Sequence, residues 1–313
     1  MAITLQESLR GLFYAPFYVA LARDAYAAEG VEVRFVSSPR PGDAARNVMD
    51  GNVDVCWGGP MRVMQAYQQS PGCDLVCFAE VVTRDPFLLL GREPRPGFVL
   101  RDLLDARVAT VSEVPTPWMC LREDLRRAGI APADLARVAD RTMADNVAAL
   151  RRGEVDVVQE VDVVQVFEPF AATLLADGVG HLWYAQASRG PTSYTTFYAR
   201  RGLLTARRVD LHRMVRAIHR TQKWIAAADG AAIGAEIARY FPDVPAAMLA
   251  DACARYHALG IWSGDPRLPR DGYDRLRASL VSGGFVSPGT PYEVAVDNSI
   301  ADAVVAEDPP PLQ

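Results

Sequence analysis

The sequence predicts an α/β protein of two similarly built lobes with a ligand cleft between them, and three observations predict it. The first is a local unit. Residues 51–60 read Gly-Asn-Val-Asp-Val-Cys-Trp-Gly-Gly-Pro, a short run of strand-formers between a helix stop and a glycine-rich turn. Asp43 suits the N-cap of the preceding helix, whose Ala44, Ala45, Val48 and Met49 form one apolar face, and Gly51 suits its left-handed stop. Pro60 suits the first position of the next helix, with Met61, Met64 and Tyr67 along one side. The second observation is that this unit recurs about one hundred residues later. Thr142 and Asp145 cap a helix through Val147 and Leu150, Gly153 stops it, and Gly153-Glu154-Val155-Asp156-Val157 echoes Gly51-Asn52-Val53-Asp54-Val55. The third is an upstream echo at nearly the same offset: Leu21-Ala22-Arg23-Asp24 and Gly30-Val31 foreshadow Leu121-Arg122-Glu123-Asp124 and Gly129-Ile130. One match is chance; two at a common spacing predict duplicated lobes.

In chain order, residues 3–7 predict a strand and residues 8–15 the loop after it. A helix opens at Pro16, with Phe17, Ala20, Leu21 and Ala28 on one face, and stops at Gly30. Val31, Val33 and Phe35 alternate with Glu32 and Arg34, the pattern of a half-buried strand. This β-α-β opening predicts a parallel pair joined by a crossover helix. Pro39-Arg40-Pro41-Gly42 is a turn into the first unit. Residues 75–82 are an apolar strand, broken by Thr83-Arg84-Asp85-Pro86, where the chain is expected to cross to the second lobe. There the order repeats: a strand over 107–111, a loop over 112–117, a helix over 118–128 and the second unit. An acid- and valine-rich run then ends in Phe167-Glu168-Pro169. Residues 181–186 form a strand, Ser188-Arg189-Gly190-Pro191 breaks it, and a strand over 194–198 returns the chain to the first lobe. The expected lobes are therefore residues 1–83 plus 195–313, and 84–194, each built on a parallel sheet. Beyond Asp210 the chain reads as helices, with Leu211, Val215, Ile218 and Ile225 at helical spacing. Pro309-Pro310-Pro311 reads as a disordered end.

Composition bounds the function. A chain of 313 residues is long enough for two domains with real cores. Half of it is hydrophobic, its net charge is −5 and it has no Lys/Arg run, which argues against nucleic acid or an anionic membrane as partner. Lys223 is the sole lysine, and the five cysteines lack metal-ligand spacing, so they read as buried free thiols. No apolar stretch reaches membrane-spanning length. The chain opens on a strand-like segment with no secretory n-region or h-region, so it is expected to be cytoplasmic, or periplasmic with a leader already removed. There is no His/Cys/Asp cluster, G-x-S-x-G, phosphate loop or zinc spacing. A binding protein is expected, with neither cofactor nor metal, and not an enzyme.

Tyr14-Ala15-Pro16-Phe17-Tyr18-Val19-Ala20, followed by Glu29-Gly30-Val31-Glu32-Val33, resembles the opening of a group of ABC-transporter solute-binding proteins. They are the nitrate/sulfonate/taurine type, with the related thiamine-pyrimidine-precursor binders and synthases. The G-x-V-D segment, Gln222-Lys223-Trp224-Ile225 and Val296-Asp297-Asn298-Ser299-Ile300-Ala301 extend the match over nearly the whole chain. The resemblance implies the periplasmic-binding-protein-like type II fold, with a discontinuous first lobe and the C-terminal helices packed on it. It also implies hinge closure over a small molecule, a transient membrane permease partner and a monomer. One departure matters. The synthase branch is implied to use a lysine-held pyridoxal phosphate and a histidine in the first lobe, and no lysine or histidine precedes His181.

Ligands of open α/β sheets sit outside the carboxyl ends of the strands. Four loops qualify: residues 8–15, 57–61, 112–118 and 159–160. Amides at Gly58, Gly59 and Met61 head a helix and suit an anionic or carbonyl group, and Ser112 and Thr116 face them from the other lobe. Trp57 and Trp118 are expected to sandwich a flat ring, with Phe13, Tyr14 and Tyr194 around it. Arg10 or Arg62 would pair with a carboxylate, sulfonate or phosphate, and Glu160 would accept from an exocyclic amine. Plainer readings stand beside these: Trp57 as core filling, Arg10 as an exposed loop residue, Arg62 as a solvated helix face, Glu160 as part of an acidic surface run. The ligand expected is small and flat, aromatic or heteroaromatic, with a negative or strongly polar group; an aliphatic sulfonate is the alternative. An enzyme or a cytoplasmic ligand sensor on the same scaffold is the competing function.

Overall fold

The structure, a computed structural model, describes residues 1–152, 161–287 and 290–313. The chain begins β1 (Ile3–Glu7), α1 (Ala15–Ala22), α2 (Ala25–Ala28), β2 (Val33–Ser37), α3 (Ala44–Met49), β3 (Val55–Gly58), α4 (Pro60–Gln69) and β4 (Leu75–Val82). It continues with β5 (Leu88–Gly91), β6 (Arg107–Ala109), α5 (Thr116–Arg127), β7 (Ala136–Val138), α6 (Met143–Arg152), β8 (Val163–Val166), α7 (Phe170–Ala176) and β9 (His181–Ala185). The last part is β10 (Thr195–Arg200), α8 (Arg201–Ala206), α9 (Arg208–Ala227), α10 (Gly230–Ile237), α11 (Ala246–Ala258), α12 (Arg270–Ser282), α13 (Tyr292–Ala295) and α14 (Ser299–Glu307).

Local signals set these boundaries. Gly30, Gly51 and Gly129 all have positive φ at helix ends, the backbone that glycine adopts without a Cβ clash. Pro60 opens α4, and Thr142 caps α6 through its hydroxyl, 3.1 Å from the Asp145 amide. Asp43 does not cap α3: its carboxylate is taken by the Arg40 guanidinium at 2.7 Å. The Gly153-to-Val157 half of the repeat lies outside the described residues.

The strands form two five-stranded sheets, in the orders β2-β1-β3-β10-β4 and β7-β6-β8-β5-β9. The chain leaves the first sheet after β4 and returns to it at β10. Neither sheet is fully parallel, which corrects the expectation of parallel sheets. β10 runs antiparallel to β3 and β4, and β5 antiparallel to β8 and β9. The reason is the brevity of the connection. A parallel return needs a crossover helix, whereas only residues 83–87 separate β4 from β5. A strand leaving one sheet at its carboxyl edge enters the other at that same edge and runs backward.

The first core gathers around Trp57, which is fully buried and stacked on Phe17 (4.5 Å between centroids) and Phe35 (5.2 Å). The second is smaller, with Leu103, Val108, Leu121, Leu125 and Val163 beneath β6 and α5. α9 and α14 pack on one another and on β4, and α10 packs on α1. α11 and α12 also reach the second sheet's helices, α11 touching α7 and α12 lying along α5. The tail is not loose, contrary to expectation. Lys223 donates to the Asp308 carboxylate and the Pro309 carbonyl, Arg220 donates to the Pro310 carbonyl, and Leu312 is buried.

Candidate functional site

The carboxyl ends of both sheets open onto one cleft, with about 470 Å³ of open space, its mouth included. Ser8 and Leu9 follow β1, Phe13 and Tyr14 sit on the turn before α1, and Gly59, Met61 and Arg62 head α4. Pro41 completes the first lobe's side. Facing them are Val114 and Thr116 at the head of α5, and Phe167 after β8. Phe87 and Tyr194 come from the two segments that join the sheets.

The cleft floor is a closed circuit of four rings. Phe13 meets Phe167 edge-on at 5.4 Å, Phe167 meets Phe87 at 5.4 Å, Phe87 meets Tyr194 at 6.3 Å, and Tyr194 meets Phe13 at 6.4 Å. Three of the four contacts are edge-to-face, one of the geometries aromatic pairs favour, and the Phe87–Tyr194 contact is tilted.

Above the floor stand one guanidinium and several hydroxyls, all able to donate a hydrogen bond. Arg62 is half-buried, and its Nη1 donates to Gln65 Oε1 at 3.3 Å. Among the described residues no carboxylate pairs with it. Burial pulls its pKa below the usual guanidinium value, with Tyr198, Tyr14 and Cys56 opposing, but arginine remains charged. The Tyr14 and Ser8 hydroxyls lie 3.2 Å apart. The buried Tyr194 hydroxyl has no partner among the described residues. Burial raises both phenol pKa values, so both stay neutral donors at physiological pH. α4 and α5 carry no side-chain cap at their N-termini. Pro60 has no N–H, so Met61 supplies the first amide of α4 at the cleft. Two uncapped helix heads place partial positive charge on it, one from each lobe.

Five of the predicted site residues line this cleft: Phe13, Tyr14, Gly59, Thr116 and Tyr194. Gly58 lies just behind it, where a Cβ would stand 3.2 Å from the Tyr198 ring and 3.4 Å from Ser8 Oγ.

Four expectations fail. Trp57 points to the sheet face covered by α1 and is core, so it cannot stack on a ligand. Trp118 is buried in the second core, with the Arg137 guanidinium 4.0 Å from its ring centroid. It stands two residues beyond the cleft-lining Thr116, hence on the far side of the helix. The tryptophan sandwich therefore does not exist. Arg10 is held by the Glu7 carboxylate at 2.6 Å and the Tyr240 carbonyl at 3.1 Å, over the rings of Tyr18 and Tyr240. Ser112 is exposed and turned to its neighbour, the Glu113 carboxylate. Glu160 lies outside the described residues.

Arg62, Phe87 and Phe167 carry more of the site than the sequence reading gave them. Arg62 follows Gly-Gly-Pro by two residues, which places it in the first turn of a helix aimed at the cleft. Phe87 and Phe167 each adjoin a proline-marked break, Asp85-Pro86 and Glu168-Pro169. Among the described residues no group of three or more His, Cys, Asp or Glu side chains is placed to hold a metal.

A protein of Bacillus subtilis (strain 168), "Putative binding protein YtlA", is 24% identical over 310 residues, spanning 97% of this chain and 90% of the relative. The periplasmic aliphatic sulphonate binding protein SsuA from Escherichia coli matches in structure with a TM-score of 0.75 at 16% identity. The match covers 93% of this chain and 96% of that one. The desulfurization enzyme DSZB matches with a TM-score of 0.67 at 14% identity, over 98% and 100% of the two chains. At such identities the two structures establish a shared fold, that of periplasmic binding proteins, and no more. The family model described as NMT1/THI5 like matches residues 13–232, more than half of the sequence, and the chain belongs to that family.

Proposed function

We propose that this protein is a solute-binding protein that captures a small organic anion between its two lobes for an ABC importer. The observation that carries this reading is Arg62, a half-buried cation without a carboxylate partner among the described residues, on one of two uncapped helix heads at the cleft. Among the described residues Arg62 is the one charged side chain lining the cleft, and a hydrogen bond to a charged group contributes about 1.5–3 kcal/mol. The four-ring floor, with Leu9, Met61 and Val114 around it, asks for an apolar or aromatic body behind the anionic head. A sulfonate with an aryl or alkyl body answers both demands, in keeping with the sulphonate named for SsuA. An aromatic carboxylate is second.

Residues 1–83 plus 195–313 and residues 84–194 move as two bodies in this reading. Among the described residues, hydrogen bonds between these two parts run through α11, α12 and the crossing segments, and none joins loops 8–15 or 40–43 to loop 112–116. The mouth is thus free to open about the floor. In this reading the protein works outside the cytoplasm, delivering its ligand to a membrane permease, and does so as a monomer. DSZB shows that chemistry occurs on this fold, so catalysis is the alternative. Here the buried Cys56 thiol is pushed up to about 12 by burial, and among the described residues no nucleophile–base pair lines the cleft.

Thermal shift and calorimetry with ethanesulfonate, MOPS, benzenesulfonate, benzoate, nitrate and a neutral aminopyrimidine test the reading. Sulfonates with an organic body should stabilise the protein most. Arg62→Gln should weaken them roughly ten- to hundredfold. If only the neutral pyrimidine binds, or Arg62→Gln binds sulfonates as the wild type does, the anion reading fails.

A further inference from the structure

A second recess lies on the first lobe, at the edge of its sheet, and it holds a carboxylate that the cleft does not use. Glu80 is on β4, only 1% exposed, and its Oε1 has no hydrogen-bond partner among the described residues. It lines the recess with Thr83, Ser263, Asp265 and Arg267. The backbone around it is fully occupied: the Glu80 amide donates to the Pro266 carbonyl at 2.7 Å, and the Glu80 carbonyl accepts from Gln222 Nε2 at 2.9 Å. The Ser193 hydroxyl, fully buried, is also without a partner. No well-formed hydrogen bond joins Ser193 to Glu80, but the Ser193 and Thr83 hydroxyls stand near enough to its carboxyl to favour the charged form. Gln222, on α9, reaches the same stretch of β4 and carries a further unpartnered buried oxygen, its Oε1.

The Glu80 and Gln222 oxygens are acceptors that no donor reaches among the described residues, and the hydroxyls beside Glu80 add lone pairs of their own, a set that a cation completes. An unpaired buried carboxylate is costly on its own. One carboxylate with hydroxyls suits a hard ion that keeps part of its water shell, not a thiolate- or imidazole-loving metal. We propose that Glu80, with the Thr83 and Ser193 hydroxyls, binds a small hard cation of the alkali or alkaline-earth type. Thr83 belongs to the first segment crossing between the sheets and Ser193 to the second, already joined where the Thr192 amide donates to the Thr83 carbonyl at 2.7 Å. The ion therefore ties the two crossings together at their first-lobe end. The site is independent of the ligand in the cleft.

Protons compete for the same oxygen. Burial raises the Glu80 carboxyl to about 8, against the Ser193 and Thr83 hydroxyls, with Asp265 and Asp271 adding repulsion. The other charges facing the recess are Arg267, which is bound to Asp265 at 2.8 Å, and His219, which Asp265 influences. The cation should thus bind more tightly at pH 9 than at pH 6.

The test is a melting curve of the whole protein in choline chloride, with sodium, potassium, magnesium or calcium chloride substituted at equal ionic strength. At pH 9 at least one of the four should raise the melting temperature by about 2 °C or more. The rise should shrink at pH 6 and vanish in Glu80→Gln. If none of the four exceeds choline, if the rise is equal at the two pH values, or if Glu80→Gln keeps it, the proposal is overturned. Should Glu80→Gln fail to fold, Ser193→Ala decides: severalfold weaker saturation by the active cation is expected, and an unchanged saturation curve overturns the site.

Discussion

The two sides of the cleft are built from equivalent parts and contribute unequally. On the first lobe, the head of α4 carries Arg62, with the Ser8 and Tyr14 hydroxyls beside it. On the second, the equivalent head of α5 offers Thr116 and Val114, and the strand end offers Phe167. Among the described residues the charge and two of the hydroxyls stand on one side, and mostly apolar surface on the other. Duplicated topology thus sets where a ligand sits, and the first turn after each strand decides what that side does. Under the proposed function the first lobe would recognise the ligand and the second would cover it. The difference also predicts an order, in which an anion meets Arg62 first and Phe167 closes afterward.

The largest effect expected on either side is structural. Trp57→Ala removes a fully buried indole stacked between Phe17 and Phe35 and should cost about 3–5 kcal/mol of unfolding free energy. Trp118→Ala should cost less, because its ring packs in the smaller second core with the Arg137 guanidinium over its face. Denaturant melts of the two variants check this. A Trp57→Ala protein of wild-type stability would return that indole to the cleft and reopen the sandwich.

On binding, Arg62→Gln and Phe167→Ala should separate. The first removes recognition and should slow or abolish capture. The second should leave the association rate near the wild-type value and raise the dissociation rate several-fold, since most affinity differences among related complexes lie in dissociation. Stopped-flow traces with the sulfonate most stabilising in the thermal screen distinguish them. Equal losses in both rates for both variants would mean that the two sides are not divided in this way.

A smaller effect concerns pH. Asp85, fully buried in the first crossing, accepts from the Phe87 amide at 3.0 Å and from Gln186 at 2.8 Å. Burial raises its carboxyl to about 7, with Arg189 opposing. A carboxyl near 3.9 in the unfolded chain then binds fewer protons unfolded than folded between about pH 4 and 7. Its contribution to stability therefore falls as pH rises through that window. Asp85→Asn should flatten the fall, whatever it does to absolute stability, and chemical melts at pH 4.5, 5.5 and 6.5 measure the slope. An unchanged slope would assign the titration to other groups.

These comparisons also show what a single sequence can carry. Helix ends were legible at Gly30, Gly51, Gly129 and Pro60 because each has a local cause in backbone conformation. The loops at the strand ends were legible because topology dictates them. Side-chain direction was not. Whether Trp57 faces the cleft or α1 depends on which sheet face the helix covers, and no spacing reports that. Arg10 and Arg62 look alike in sequence, yet Glu7 neutralises the first, while no carboxylate among the described residues pairs with the second. The antiparallel strands β5 and β10 were hidden for a related reason. Their direction follows from the edge at which a short crossing enters, which is a property of the assembled sheets.

The smallest effect is the most diagnostic for the floor. Tyr194 bridges Phe13 and Phe87, but its buried hydroxyl has no partner among the described residues. A buried hydroxyl without a partner is a cost in the free protein, so Tyr194→Phe should leave the melting temperature of the free protein unchanged or slightly higher. If that hydroxyl instead donates to the bound anion, its removal should weaken binding by about 0.5–1.5 kcal/mol, a factor of roughly two to twelve. Opposite signs in the two measurements, a stable free protein and a weaker complex, mark a group kept for the ligand. Calorimetry with the same sulfonate, beside a melt of the free variant, gives both. A variant that melts lower and binds as the wild type does would make Tyr194 a packing residue, and the floor would then select by shape alone.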